Sequence, residues 1–313
     1  MSGGAQREGG FGRPRRRGAA EGSERRGPLL GGIQFQGGDG VAIKAIGGRD
    51  ARAAASASAA SSRVGEIANR VSCVIVACDE ADRIERAIRS VAGLVAEVLV
   101  VDSGSSDGTA ALSERLGARV VLHPWEGFGP QKRFAEEQAG CDWILSLDAD
   151  EWLSDGLRAE LAALLAKPLP PARCYRARVR IVYARRETPA PFAYFHNYVR
   201  LYNRTTARCR DSLSHDEVEP TADVAQLDGD ILHKSYRDFA HIVAKTVAYY
   251  QTQRAEGIRP SRMALLRQFG EFPFQFFKYY VLRRHIFGGA DGFAYATALA
   301  MGRWARIFIL RGW

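Results

Sequence analysis

Residues 70–235 predict an α/β fold, a mostly parallel sheet covered by helices on both faces. Two observations predict it. Short β-branched and apolar runs alternate with amphipathic stretches, giving strands near 71–77, 97–102, 119–122 and 143–147 and helices near 80–92, 108–116, 130–139 and 155–166. Two of those strands also end abruptly in acids, at the carboxyl tips where open α/β sheets bind their ligands.

The first strand is Val71-Ser72-Cys73-Val74-Ile75-Val76-Ala77, followed by the polar turn Cys78-Asp79-Glu80-Ala81-Asp82. Ile84, Ala87, Ile88 and Val91 then repeat at i, i+3, i+4 and i+7, one apolar face of a helix. The second strand, Glu97-Val98-Leu99-Val100-Val101-Asp102, runs into Ser103-Gly104-Ser105-Ser106-Asp107-Gly108-Thr109. Asp107 suits the N-cap of the next helix. Asp102 has two uses at this stage: it can form the turn, or it can accept hydrogen bonds from a nucleobase or ribose.

The strand Trp143-Ile144-Leu145-Ser146-Leu147 ends in Asp148-Ala149-Asp150-Glu151, three carboxylates within four residues. Alternation places Asp148 and Asp150 on one side, with Ala149 pointing away. Like charges this close repel unless a cation sits between or beside them. Oxygen ligands suit Mg²⁺ or Mn²⁺, which take one or two carboxylates together with substrate phosphates. The pattern therefore reads as a metal–diphosphate site. Taken alone, the triplet equally suits a solvated loop or a helix start, with Ser154 or Asp155 capping a helix over 157–165 and Glu151 favouring that start.

Taken together, Val74–Glu80, Val101–Thr109, Trp125–Lys132, Asp142–Glu151, Arg200-Leu201-Tyr202 and Leu213-Ser214-His215-Asp216-Glu217 resemble the inverting family-two glycosyltransferases. The closer likeness is to the lipopolysaccharide-core glucosyltransferase-like branch, and it runs from Val71 to the C-terminus. It implies the Rossmann-like A-type glycosyltransferase fold and a nucleotide-sugar donor, with UDP-glucose as the first expectation. It also implies a lipid-linked or lipopolysaccharide-core acceptor. Ala77 and Glu80 then line the nucleoside pocket, and Asp102 contacts the base or ribose. Asp148 and Asp150 hold the metal, Asp150 nearer to it and Asp148 nearer the ribose. Lys132, in a Gly-rich turn, reaches the nucleotide as a point charge for phosphate, or else is a solvated lysine at a helix start. The family often has Asn where this chain has Asp79.

An inverting transfer needs a carboxylate to take the proton of the attacking hydroxyl. The resemblance places it after a His in a short turn, which points to Asp216 first and Glu217 second. A single displacement needs no nucleophilic Ser or Cys, and no Gly-x-Ser-x-Gly elbow is present.

The five cysteines (Cys73, Cys78, Cys141, Cys174, Cys209) form no C-x-x-C pair, so neither a zinc site nor a disulfide framework is expected. Residues 1–69 are rich in Gly, Ala, Ser and Arg, including Arg13-Pro14-Arg15-Arg16-Arg17. Such a segment buries too little apolar surface to offset its ordering entropy and is expected to be a disordered basic extension, with a short strand possible at 34–46. No apolar leader opens the chain, so a cytoplasmic enzyme is expected. Residues 236–313 read as helical and interfacial: Phe269–Tyr280 is densely aromatic and flanked by Arg283-Arg284. The longest uncharged run there, 292–302, is too short to span a bilayer. Aromatics interleaved with Arg suit a helix lying among headgroups on the inner face of the membrane, or equally a packed core.

Other classes fit less well. A sugar-phosphate nucleotidyltransferase needs a basic, Gly-rich loop after the first strand, where this chain is acidic. A dinucleotide oxidoreductase needs G-x-G-x-x-G there, and it is absent. A non-enzymatic protein that binds anionic polymers through the basic extension has no use for acids on successive strand tips, so nucleic acid is not expected as a partner.

Overall fold

The computed structural model describes residues 71–312, apart from 170–172, 213–216, 221–222 and 261. The basic extension, the strand expected at 34–46, and His215 and Asp216 lie outside the described residues. The predicted alternation appears in order: β1 (Val71–Ala77), α1 (Ile84–Val91), β2 (Glu97–Asp102), α2 (Thr109–Arg115), β3 (Arg119–Leu122), α3 (Phe128–Gln138), β4 (Trp143–Asp148), β5 (Glu151–Leu153) and α4 (Asp155–Leu165). Then come β6 (Cys174–Ile181), β7 (Phe195–Asn203), β8 (Arg208–Cys209), β9 (Val218–Glu219) and β10 (Val224–His233). Three helices follow: α5 (Phe239–Ala255), α6 (Arg262–Phe277) and α7 (Gly289–Arg311).

An eight-stranded sheet runs β3-β2-β1-β4-β7-β6-β10-β5. Its first half, β3-β2-β1-β4, is parallel, as the alternating pattern requires. The second half is mixed: β7 is antiparallel to β4 and β6, β10 is parallel to β6, and β5 is antiparallel to β10. Because β1 is apolar throughout, it can be buried on both faces. Val71, Cys73 and Ile75 pack with Ile84, Ala87, Ile88 and Val91 of α1 and with Leu157 and Leu161 of α4. Val74 faces the other way, with Leu99, Val101, Ala135 of α3, Ile144 and Tyr202. Each of the Val, Leu and Ile side chains among these contributes about 1.5–3 kcal/mol when taken from water.

Local signals fared unevenly. Ser154 caps α4 as expected, its hydroxyl accepting from the Leu157 amide at 3.2 Å. Asp107 is not the N-cap of α2; Gly108 holds that position in a left-handed conformation. Asp107 acts one residue earlier, accepting from the amides of Thr109 and Ala81 and so tying the β2 turn to the β1 turn. Glu151 does not start a helix. It is fully buried in β5, whose register pairs it with His233.

The aromatic stretch is part packed and part exposed. Phe272, Phe276 and Tyr280 pack around Tyr279, Ala296 and Ala300, while Phe269, Phe274 and Phe277 stay exposed. Tyr295 of α7 joins Ile181, Tyr183, Ala190, Ala193 and Ile242, which seats the C-terminal helices against the sheet. Among the described residues, no helix is long and apolar enough to cross a membrane. The five cysteines are free thiols.

Candidate active site

Strand register brings three predicted positions together. Ala77 pairs with Asp102, and Val76, its neighbour in the chain, pairs with Asp148, so the tips of β2, β1 and β4 stand side by side. Ala77 is buried and lends its carbonyl to the Ser103 amide at 2.9 Å. Asp102 is fully buried and splits its work. Oδ1 accepts from the amides of Gly104 (2.8 Å) and Ser105 (2.7 Å), forming the turn. Oδ2 is buried with no hydrogen-bond partner among the described residues. A buried acceptor left unmade is costly, so this oxygen suits an N–H or O–H brought by a ligand.

The turn after β1 is held by unusual backbone. Asp79 has φ of 54°, a left-handed conformation that Asn and Asp tolerate best among residues other than Gly. Its Oδ1 accepts from the Ser106 amide at 2.8 Å, so the acid that replaces the family's Asn is engaged with the neighbouring turn. Glu80 pairs with Arg83 and, at 3.2 Å, with Arg237. Burial raises its pKa, and Arg83 opposes that rise.

The Asp148–Asp150 pair behaves differently from the alternation argument. The chain turns after Asp148, and the two carboxylates find separate cations. Lys132 is neither in a turn nor solvated: it lies within α3, 2 % exposed. Its Nζ reaches Asp148 Oδ1 at 2.6 Å and the Leu147 carbonyl at 2.9 Å. Burial alone would raise the Asp148 pKa, but Lys132 and then Arg200 outweigh it and bring it down to about 2. Asp150 meets His233 Nε2 at 3.2 Å, Arg83 at 3.5 Å and Lys245 at 3.8 Å. Against the effect of burial, the charges of His233, Lys245 and Arg83 hold it well below the usual carboxylate range. Reciprocally, Asp150 raises His233 against the opposing effect of burial. The cations that quiet this acidic pair are thus the protein's own.

A divalent cation still fits here by donor chemistry. Asp150 Oδ1 and His233 Nε2 face one another across one proton's width, and a cation could replace that proton. Among the described residues no three His, Cys, Asp or Glu groups cluster as a complete metal site. One or two carboxylates completed by diphosphate oxygens is the usual arrangement for a hard cation that travels with its nucleotide, and Asp150 supplies one here.

Behind this lies Glu151, its side chain inaccessible, paired with Arg200 at 2.6 Å. Burial raises its pKa and Arg200 only partly offsets that. A cavity of ≈ 450 Å³ opens over Asp148, Glu151, Arg200 and His233, walled by Arg176, His196, Tyr198, Glu217, Tyr236 and Tyr295. Glu217 is exposed on that wall, and its carbonyl accepts from the Arg210 amide at 2.9 Å. Gly129 of α3 fixes the approach to it. A Cβ there would meet the Arg210 carbonyl at 2.2 Å and the Ser212 amide at 2.5 Å, both backbone, so only Gly allows the close contact. A second cavity of ≈ 540 Å³ adjoins Asp150, lined by Asp82, Arg83, Arg86, Trp152, Lys234 and Arg237.

Sequence reasoning missed His233, Arg83 and Lys245 as partners of Asp150, and Arg200 as partner of Glu151. Arg200 stood within a quoted motif without a role. His233 ends a strand whose charged residues conceal the apolar pattern.

The glycosyl transferase family 2 model matches residues 72–221. An uncharacterized glycosyltransferase of Rickettsia felis is 35% identical over 253 residues, covering 77% of this chain and 89% of the relative. The lipopolysaccharide core biosynthesis glycosyltransferase LpsC of Rhizobium meliloti is 46% identical over 76 residues, 23% of this chain and 28% of that protein. Among solved structures, S. aureus TarS 1–349 in complex with UDP-GlcNAc aligns with a TM-score of 0.41 at 16% identity, covering 59% of this chain and 65% of that one.

Proposed function

The chain belongs to glycosyl transferase family 2 and is a glycosyltransferase, and we propose that it moves a hexose, glucose from UDP-glucose in the first instance, onto a lipid-linked or lipopolysaccharide-core acceptor with inversion. The observation that carries this reading is the row of strand tips Ala77, Asp102 and Asp148 beside the Asp150–His233 contact. Asp102 Oδ2 accepts from the base or ribose. Lys132 fixes the Asp148 carboxylate, which faces the ribose. Asp150 and His233 would hold a divalent cation, Mg²⁺ or Mn²⁺, with Asp148 close by. When bound, that cation neutralises charge on the departing diphosphate. Arg83 and Lys245 add positive charge on the same side. Asp216, or Glu217 on the cavity wall, takes the proton from the acceptor hydroxyl, a role that typically supplies about 10²–10⁴-fold. The acceptor occupies the 450 Å³ cavity, because Glu217 and Asp148 both open onto it.

Thermal unfolding of the full chain with UDP-, GDP- and ADP-sugars, with and without Mn²⁺, tests the donor side. One nucleotide sugar is expected to raise the midpoint, and to do so more with the metal, since a ligand that binds only the folded state stabilises it by mass action. No rise with any of them would remove the donor site.

The enzyme works at the inner face of the cell membrane as a peripheral protein. Phe269 is 95% exposed, and Phe274, Phe277, Leu282 and Phe287 are exposed with it, close in sequence to Lys278 and Arg284. Apolar rings beside cations suit an anionic lipid surface. The intact chain should sediment with phosphatidylglycerol vesicles and less so with phosphatidylcholine vesicles. The pair Phe274→Ser and Phe277→Ser should release most of it. Equal sedimentation of that variant and the parent would place the contact elsewhere.

A further inference from the structure

We propose that the 450 Å³ cavity takes a saccharide acceptor bearing an oxyanion, a phosphate or a carboxylate, and that Arg176 is the residue that reads it. This rests on the assignment of that cavity to the acceptor. Strand β6 carries arginines at alternate positions 176, 178 and 180. Arg178 and Arg180 are both neutralised by Asp230 of β10, at 3.0 and 2.9 Å. The register sets Asp230 opposite Arg178 but the neutral Gln226 opposite Arg176. Arg176 therefore reaches the cavity wall exposed, with no carboxylate in ion-pair range among the described residues. Of the other acids that line the cavity, Asp148 is engaged with Lys132 and Glu151 with Arg200, which leaves Glu217, the candidate base, on the wall.

A guanidinium without a carboxylate on a concave wall favours a planar, two-toothed oxyanion partner. Beside it, the rings of His196 and Tyr198 stack at 5.4 Å and 6° on the same wall, a flat face of the kind against which a sugar ring packs. Burial, then the charge of Arg283, brings His196 down to about 4, so its ring is neutral near pH 7 and leaves the anion to Arg176.

The test is calorimetric titration of the full chain saturated with UDP, whose own binding is measured first and reports on the donor site separately. Glucose 6-phosphate, glucuronate and glucose are the probes. At least one charged sugar should bind about tenfold tighter than glucose, the worth of one charge-assisted hydrogen bond. The better of the two identifies phosphate or carboxylate as the group read. Arg176→Ala should abolish the preference and Arg176→Lys should keep part of it, both with UDP affinity unchanged. Equal binding of glucose, no binding by any of the three, or a preference that survives in Arg176→Ala would overturn the proposal.

Discussion

Replacing Asp150 with Ala is expected to lower turnover by about 10²–10³-fold, the usual cost of losing one electrostatic stabiliser of a transition state. The change removes the carboxylate that His233, Lys245 and Arg83 share. His233 loses the charge that does most to raise its pKa, and the proposed cation would lose its carboxylate donor. Asp150→Asn keeps the shape and should lose nearly as much, because charge rather than volume does the work. The loss should fall on kcat as well as on kcat/KM, since charge on the diphosphate builds up as the bond breaks. Steady-state kinetics on variants shown by circular dichroism to be folded provide the check. Turnover within threefold of the parent in Asp150→Ala would dismiss this carboxylate from the reaction.

Arg200→Met should destabilise the fold by about 3–5 kcal/mol, the range seen when one partner of a buried ion pair is removed. Glu151 would be left inaccessible, with the acids Asp148 and Asp150 nearby and only His233 Nδ1, at 3.9 Å, to oppose its charge. Urea unfolding measures the deficit. Its pH dependence has a definite sign. A carboxyl whose pKa is raised on folding binds more protons folded than unfolded around that pKa, so stability falls as pH rises through it. The deficit of Arg200→Met should therefore shrink as pH is lowered toward the raised pKa of Glu151. The double variant Glu151→Met with Arg200→Met removes both charges and should recover most of the loss. A deficit below about 0.5 kcal/mol, the level of an ordinary surface substitution, would show that the pair contributes no stability.

The parts of the molecule legible in sequence are those whose signals are local. The apolar strands β1, β2 and β4 and the i, i+3, i+4, i+7 face of α1 depend on spacing within a single element, and the structure reproduces them. The second half of the sheet was not legible. In β6 and β10 the charged residues Arg176, Arg178, Arg180, Asp228 and Asp230 break the alternation, and they make sense only once β10 lies beside β6 and Asp230 meets its arginines. The acids at the strand tips were legible for the same local reason. Their cations were not, because Lys132, Arg200, His233 and Lys245 arrive from four different elements. The repulsion between Asp148 and Asp150 called for a cation between or beside them, and side chains distant in sequence supply part of that charge. Asp107 shows the finer version, since capping preferences identify the acid but not whether the backbone turns one residue later.

That assembly has a consequence for how the enzyme comes into being. Asp150 waits for His233 at the end of the last sheet strand and for Lys245 in the helix beyond, and Arg237 ties the same segment back to Asp79 and Asp82. The strands and helices through α4 can begin to condense early in synthesis, since their contacts are close in sequence. The reacting centre has no such head start. A nascent chain that has released Asp148 and Asp150 from the ribosome already carries Lys132 and Arg83, but Asp150 stays without His233 and Lys245 until the segment through residue 245 has emerged.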